Sequence, residues 1–107
     1  QHVTLTVRGK VVDSAGKPLE GIVLCCGTQR IDINYSMGLA ATEEYITTDA
    51  AGEFKTKELT AWKLFLIYGG KKYQEYSASL KNKEQLLELQ KNPITITLLP
   101  IQEEAAE

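Results

Sequence analysis

The residues best placed to do chemistry are two aspartates, each followed three positions later by a glycine. Asp13 begins Asp-Ser-Ala-Gly and Asp49 begins Asp-Ala-Ala-Gly. A calcium loop needs further oxygen ligands at alternating positions, and the residues between each aspartate and glycine do not supply them. An aspartate at the first position of a turn hydrogen-bonds its own backbone, and a glycine at the fourth accepts a positive φ. We therefore predict two tight hairpin turns rather than metal sites.

Other candidate catalytic groups are few and scattered. The single histidine is His2, close to a chain end, whereas nucleophilic catalysis needs an imidazole that is held and oriented. The carboxylate pairs Glu43-Glu44 and Glu103-Glu104 are interpreted as solvated. The Gly-Gly-Lys-Lys sequence at 69–72 is too short for a phosphate loop. We predict no catalytic residue, metal or cofactor, and no enzymatic activity.

The two cysteines, Cys25 and Cys26, are adjacent in an apolar run. Neighbouring strand residues point to opposite faces, so a disulfide between them would distort the strand, and we predict two free thiols. Ile22 and Leu24 gain most from burial, which places Cys26 inward with them and makes Cys25 the more exposed thiol. A redox role or a vicinal disulfide is the alternative, and no second cluster completes a zinc site.

The composition is typical of one globular domain. The chain has 107 residues, of which 43% are hydrophobic and 24% charged. The net charge is −2 without a basic stripe, which argues against a nucleic-acid partner. No apolar run approaches the ~18 residues of a membrane-spanning helix. We predict one domain over residues 1–101 and a flexible acidic tail over 102–107.

The turns lie between segments that alternate with a period of two, as half-buried strands do. Strands are predicted at 3–11, 21–28, 45–48, 54–59, 62–68, 71–79 and 94–98. Segment 30–38 is predicted as a further strand, with an edge strand or a loop excursion as the alternative, and 39–44 as a connection. Segment 62–68 is apolar on both faces, which predicts a central strand covered on both sides. Segment 71–79 is more polar and irregular, which predicts an edge strand.

One segment has a helical pattern instead. Leucines at 86, 87 and 89 are interspersed with polar residues between Asn82 and Gln90. Asn82 is a good N-cap with Gln85 three positions later, and Asn92-Pro93 ends the helix. Seven or eight short strands and one short helix near the C-terminus together predict an all-β sandwich.

The turns and their flanking strands resemble a known family. The string Val7-x-Gly-x-Val-x-Asp-x-x-Gly-x-Pro-Leu-x-Gly21, followed by Thr48-Asp-x-x-Gly-x-Phe54, resembles carboxypeptidase regulatory-like domains. The apolar strand to Tyr68, the Gly-Gly-Lys-Lys-Tyr that follows it and the closing strand at 94–98 are also similar. Two departures are the long stretch between Arg30 and Tyr45 and the added helix.

The resemblance implies a Greek-key, transthyretin-like or prealbumin-like β-sandwich without catalytic activity. Such domains are accessory modules of secreted or surface proteins, such as the N-terminal extensions of Bacteroidetes TonB-dependent receptors and the domain that follows the catalytic domain of metallocarboxypeptidases. It therefore implies an extracytoplasmic, periplasmic or cell-surface location, with Gln1 as a possible first residue after signal cleavage. The partner would be a protein or another domain of the same polypeptide.

Aromatic residues are the best binding candidates in the sequence. The candidates are Tyr68, Tyr73, Tyr76 and Trp62, of which the three tyrosines form a candidate interaction surface, because aromatics on a sheet face are enriched at interfaces. Core or cross-strand packing of these rings is the alternative. A second functional hypothesis is a small-ligand carrier with a site at a transthyretin-like subunit interface. A hydrolase, the third, would need a serine or cysteine that an activity probe labels.

Overall fold

The computed structural model describes residues 2–31 and 39–101, which form β-strands and one short helix. In chain order these elements are β1 (Val3–Val12), β2 (Val23–Ile31), β3 (Leu39–Thr47), β4 (Glu53–Ala61), β5 (Lys63–Tyr68), β6 (Tyr76–Leu80), α1 (Lys83–Lys91) and β7 (Ile94–Thr97). The predicted all-β class with one short helix is confirmed. No helix in the two described ranges is long and apolar enough to cross a membrane.

The strands form two sheets around a common core. One sheet has the order β4-β1-β7 and the other β3-β2-β5-β6. Strand β7 lies parallel to β1, and the other strand pairs are antiparallel. The largest fully buried side chains come from both sheets, from the helix and from the C-terminal end: Val7, Val11, Leu24, Cys26, Leu64, Leu66, Leu86, Ile96 and Leu98. The inward alternation predicted for β1 and β2 is therefore confirmed.

A bulge keeps both halves of β4 facing this core. Arg8 pairs with Lys55 and Thr6 with Glu58, so two residues of β4 lie opposite Val7. The Val7 N–H donates to Thr56 Oγ1 at 3.0 Å, and that hydroxyl donates to the Lys57 carbonyl at 2.6 Å. The extra residue changes which positions of β4 point inward. Phe54 and Thr56 are buried before the bulge, and Leu59 and Ala61 after it.

The two Asp-x-x-Gly sequences are turns, as predicted, but the predicted hairpins are wrong, because the strands flanking each turn, β1 and β2 or β3 and β4, belong to different sheets. Asp13 Oδ1 accepts hydrogen bonds from the N–H groups of Ala15 and Lys17, both at 2.9 Å. The same bonds recur in the second turn, where Asp49 Oδ1 accepts from residues 51 and 53 at 2.9 Å. Gly16 and Gly52 have φ angles of 83° and 75°. The carboxylates thus hold the backbone of their own turns.

The helix begins and ends where the capping residues predict. Asn82 Oδ1 accepts from the Gln85 N–H at 2.9 Å, and Gln85 Oε1 accepts from the Lys81 N–H at 2.8 Å. At the other end the Gln90 side chain donates to the Thr4 carbonyl at 2.7 Å. Strand β7 pairs with β1 only from Gly9 onward. The helix therefore contacts the first half of β1, which β7 does not reach.

Several predicted strands differ in extent from those in the structure. The prediction of a connection at 39–44 is wrong, because these residues belong to the nine-residue strand β3, which pairs with β2 along its whole length. Segment 71–79 is a strand only from Tyr76, at the sheet edge as predicted. Of the predicted strand 30–38, Arg30 and Ile31 end β2, and 32–38 lie outside the described residues. The predicted tail at 102–107, which includes Glu103-Glu104, lies outside them as well.

The prediction that β5 is covered on both faces is wrong. β5 is central, lying between β2 and β6, and its Leu64 and Leu66 are fully buried. On its other face Phe65 is half-buried and Ile67 is 41% exposed. The sequence pattern reports that both faces are apolar, but it cannot report whether a second layer is present to cover them.

Candidate interaction surface

The outer face of the four-stranded sheet is built from residues that the strand register places side by side. Cys25 on β2 lies opposite Tyr45 on β3 and opposite Ile67 on β5, so these three residues form a row across the sheet. In the next row, Gly27 lies between Glu43 and Phe65. Val23 precedes the first row on β2. Because each is two residues from its neighbour along a strand, all point to the same face.

Five of these side chains form a contiguous apolar patch, defined here as Val23, Cys25, Tyr45, Phe65 and Ile67. Val23 is 50% exposed, Tyr45 67% and Ile67 41%, while the other two are half-buried. The Phe65 ring lies beside Gly27, with its Cδ2 atom 3.8 Å from where a Cβ of that glycine would be. Single exposed apolar residues are ordinary, whereas these exposed apolar residues are neighbours in adjacent strands.

An open groove of about 630 Å³ runs beside this apolar patch. Val23, Cys25, Tyr45 and Ile67 line one part of it, and the backbone and side chains of residues 69–72 line another. Lys71 and Lys72 are exposed there, and exposed Ser77 and Ser79 lie on β6 opposite Ile67 and Phe65. The surface therefore has an apolar centre and a polar rim, which is the usual anatomy of a protein interface.

The two cysteines are free and differ sharply in environment, as predicted. Cys25 lies half-buried in the apolar patch, whereas Cys26 points into the core and is 1% exposed. Burial raises the pKa of the Cys26 thiol to about 12, with smaller contributions from the Glu44 carboxylate and from Cys25. Since the thiolate is the reactive form, Cys26 is chemically quiet and Cys25 is the thiol that a reagent or partner can reach.

The tyrosines of the predicted interaction surface lie close together but on the inner face. Tyr68 is 5% exposed, and its ring packs edge-on against Tyr73 with 6.3 Å between centroids. Tyr76 lies opposite Tyr68 in the strand register and is half-buried, and burial raises its pKa. Tyr68 thus belongs to the core. A contact role for the partly exposed Tyr73 and Tyr76 stays a prediction.

The backbone after β5, residues 69–72, passes close to the Tyr68 hydroxyl. The Lys72 N–H donates to Tyr68 Oη at 3.2 Å. A Cβ on Gly70 would lie 2.5 Å from that same oxygen, so only glycine allows the chain to pass so closely. The Gly-Gly-Lys-Lys sequence therefore folds over the tyrosine hydroxyl, and it also forms one wall of the groove.

Trp62, the remaining aromatic candidate, is half-buried where β4 passes into β5. The Lys63 ammonium lies 4.9 Å from the centre of its indole ring, a cation–π contact that shields part of the ring. Its backbone N–H donates to the Gln29 carbonyl at 2.9 Å. Trp62 is thus outside the apolar patch, and its ring is already engaged with a neighbouring side chain.

The described ranges contain no group of three or more histidine, cysteine, aspartate or glutamate side chains that could hold a metal ion. His2 is exposed on β1's N-terminal side, and the cysteines are separated by the sheet itself. The sequence does contain a signal for the apolar patch, because segment 62–68 is apolar on both faces. The alternation in 62–68 shows Phe65 and Ile67 as apolar, but it predicts that their face is covered, and the pattern around Tyr45 predicts only the start of a short strand.

Comparisons of the chain with family models, with curated proteins and with solved structures find no significant match.

Proposed function

We propose that this chain is a non-catalytic protein-interaction module, and that it contacts its partner through the apolar patch on the outer face of the four-stranded sheet. The observation that carries the proposal is the contiguity of Val23, Tyr45 and Ile67, which are all more than 40% exposed and meet in adjacent strands. Apolar surface removed from water contributes roughly 25 cal/mol per Å². A partner that covers these residues therefore gains from the same effect that forms the core.

The family proposal is that the module is a carboxypeptidase regulatory-like domain with a Greek-key, transthyretin-like topology. It is supported by the order of the motif residues in this sequence, from Val7 to Gly21, and by the matching turn at Asp49. The identical hydrogen-bonding of the two turns and the arrangement in two sheets agree with such a domain. An extracytoplasmic location, with a partner protein or another domain of the same polypeptide, follows from this proposal alone.

Site-directed photo-crosslinking tests the interaction surface directly. A photoreactive residue is introduced at Ile67, and in a matched control at Thr95, which is exposed on the outer side of the other sheet. Irradiation in the cells that produce the protein is followed by mass spectrometry. We expect a discrete cross-linked product from position 67 and little from position 95. Equal cross-linking at both positions, or none at 67, would contradict the proposal.

A further inference from the structure

The strand β3 forms one edge of the four-stranded sheet. The hydrogen bonds to β2 show which of its backbone N–H and C=O groups point away from the sheet. The Thr48 N–H donates to the Ile22 carbonyl at 2.9 Å, and the Thr48 carbonyl accepts from the Gly21 N–H at 3.0 Å. Backbone hydrogen bonds of an antiparallel pair alternate along the strand, so Ile46 and Glu44 also face β2. The N–H and C=O groups of Glu43, Tyr45 and Thr47 consequently point away from the sheet.

The opposite side of β2 agrees with this assignment. The Gln29 carbonyl accepts from the Trp62 N–H at 2.9 Å, on the side of β5. Odd-numbered residues of β2 therefore bond to β5 and even-numbered residues to β3. Within residues 2–31 and 39–101, no strand pairs with the outer edge of β3.

The other long edges are protected by a bulge, lysines, a covering helix or short length, whereas β3 carries only the charges of Glu43 and of the inward-pointing Glu44 among such features in its described residues. Strand β4 is interrupted by its bulge and carries Lys55 and Lys57, two devices that discourage further strand pairing. The first half of β1 is contacted by the helix, whose Gln90 side chain bonds the Thr4 carbonyl. Strand β6 has only five residues. By contrast β3 pairs over nine residues without a register shift and contains neither proline nor lysine.

The charge of β3 indicates what kind of strand would fit. Glu43 is exposed on the outer face, and Glu44 points to the inner face at the opening between the sheets. Glu44 Oε1 is buried, and no hydrogen-bond partner for it occurs among the described residues. Arg30 and Lys57 line the same opening. An unpartnered buried carboxylate oxygen is unfavourable, and a cationic side chain from an added strand would bring a further positive charge to Glu44 from the edge. A second copy of β3 would instead bring glutamates close to glutamates.

From these observations we infer that β3 binds an extended, basic segment of a partner protein as an additional antiparallel strand. Backbone groups of Glu43 and Tyr45 would exchange hydrogen bonds with that segment, which is the usual basis of affinity in strand addition. A lysine or arginine opposite Glu44 would set the register. This inference specifies the partner's chemistry and rests on the proposed interaction function, because Tyr45 belongs both to the edge and to the apolar patch.

The test uses a synthetic peptide of alternating valine and lysine, as long as β3, and the whole chain. Amide hydrogen exchange by NMR reports each backbone group separately. In the free protein the Glu43 and Tyr45 amides should exchange fast and the Glu44 and Ile46 amides slowly. At a peptide concentration about ten times its dissociation constant, exchange at Glu43 and Tyr45 should slow by about tenfold or more, because about a tenth of the protein is then free of peptide. A peptide with glutamate in place of lysine should not slow this exchange.

A pair of variants separates the backbone contribution from the charge. Glu43→Pro removes the outward N–H without removing a bond to β2, as proline tolerates an edge position. Glu43→Ala removes the same charge and retains the N–H. We expect the proline variant to bind the peptide about tenfold more weakly than the alanine variant, which corresponds to about 1.4 kcal/mol.

Three results would overturn the inference. These are peptide binding without protection of the Glu43 and Tyr45 amides, equal binding of the lysine and glutamate peptides, and edge amides that are already protected in the free protein in a concentration-dependent way. The last result would identify a second copy as the occupant. None of these would remove a cross-link from position 67, so failure of the strand inference and failure of the proposed function can be told apart.

Discussion

The three-stranded and four-stranded sheets enclose the same core, but their outer faces are built from different residues. The outward positions of β1 are Thr4, Thr6, Arg8 and Lys10, all polar. The corresponding positions of β2 and β5 include Val23, Cys25, Phe65 and Ile67. A sheet with one solvated face alternates between apolar inward and polar outward residues, as β1 does. The four-stranded sheet has apolar residues on both faces. The difference is that the outward positions of β1 are polar, whereas the outer face of the second sheet exposes the apolar patch.

The contrast also appears in how each outer face satisfies its own side chains. On the three-stranded sheet the hydroxyls of Thr4 and Thr60 lie 3.1 Å apart, and Lys10 lies opposite Glu53. On the four-stranded sheet the central row, Tyr45, Cys25 and Ile67, offers mainly apolar surface. The former face exposes polar side chains that water can solvate. The latter leaves apolar surface exposed that a partner can bury.

The largest test compares the two faces of β5 itself. Leu66→Ala, at a position that is fully buried, should lower the free energy of unfolding by about 2–5 kcal/mol through lost burial and a cavity. Ile67→Ala, at a 41% exposed position, should lower it by about 1 kcal/mol or less. Urea unfolding of both variants measures the difference. Equal losses would mean that Ile67 is as buried as Leu66 and that the apolar patch does not exist in solution.

Two mid-strand glycines give the next comparison. A Cβ on Gly9 in β1 would lie 2.5 Å from both the Ile94 carbonyl oxygen and the Phe54 ring, whereas one on Gly27 would meet nothing closer than 3.8 Å. Gly9→Ala should therefore destabilise the fold by about 1–3 kcal/mol. Gly27→Ala should be neutral or stabilise it by about 0.5 kcal/mol, because alanine orders more easily in a strand. Thermal unfolding of the two variants distinguishes them, and a large loss for Gly27→Ala would show that the outer face is covered.

These positions also show how far the sequence can be read. Alternation located the inward residues of β1 and β2, because a period of two is set by backbone geometry. The turn chemistry located both turns, since Asp13 and Asp49 act on bonds within five residues, but it did not show that the strands on either side of each turn enter different sheets. Alternation does not show whether a second layer covers a face of the sheet. For this reason the pattern places Ile67 on a covered face, which is wrong. The helix was found because its caps are local.

Tertiary arrangement explains the remaining differences. The parallel pairing of β1 with β7 joins opposite ends of the chain, and no local pattern encodes it. The first half of β3, Leu39 to Glu44, contains two alanines and two glutamates, which favour no strand by themselves. It is a strand because β2 pairs with it. Likewise the tyrosine cluster was recognised from composition, but its inward orientation depends on the course of residues 69–72 over Tyr68.

Titration of Cys26 tests the inner face of β2. Burial raises its pKa from 9.0 to about 12 in the folded protein, so the unfolded chain releases this proton first. Stability should be nearly unaffected below about pH 9 and should fall as the pH rises from there toward 12, by about 1.4 kcal/mol at pH 10. The difference from Cys26→Ala isolates this group, because other groups titrate alike in both proteins. A difference that does not change with pH would contradict the inward assignment.

Thiol labelling compares the same two neighbours without a mutation. Under native conditions at neutral pH, a thiol reagent should modify Cys25 and leave Cys26 unmodified until the protein unfolds. Mass spectrometry of digested protein locates the label. When the partner covers the apolar patch, labelling of Cys25 should slow. Equal labelling of both cysteines in the folded protein would show that the strand does not separate them.

The smallest expected effect lies on the polar face of the three-stranded sheet. Arg8 and Lys55 are directly opposite each other there, and like charges in cross-strand pairs are unfavourable. Lys55→Glu should replace the repulsion by attraction and raise the free energy of unfolding by about 0.5 kcal/mol at low salt, with Lys55→Gln giving about half of that. The gain should vanish near 1 M salt, where the Debye length falls to about 3 Å. Urea unfolding at both salt concentrations measures it. A gain that persists in high salt would imply that this face is shielded from solvent, and the contrast between the two outer faces would then be lost.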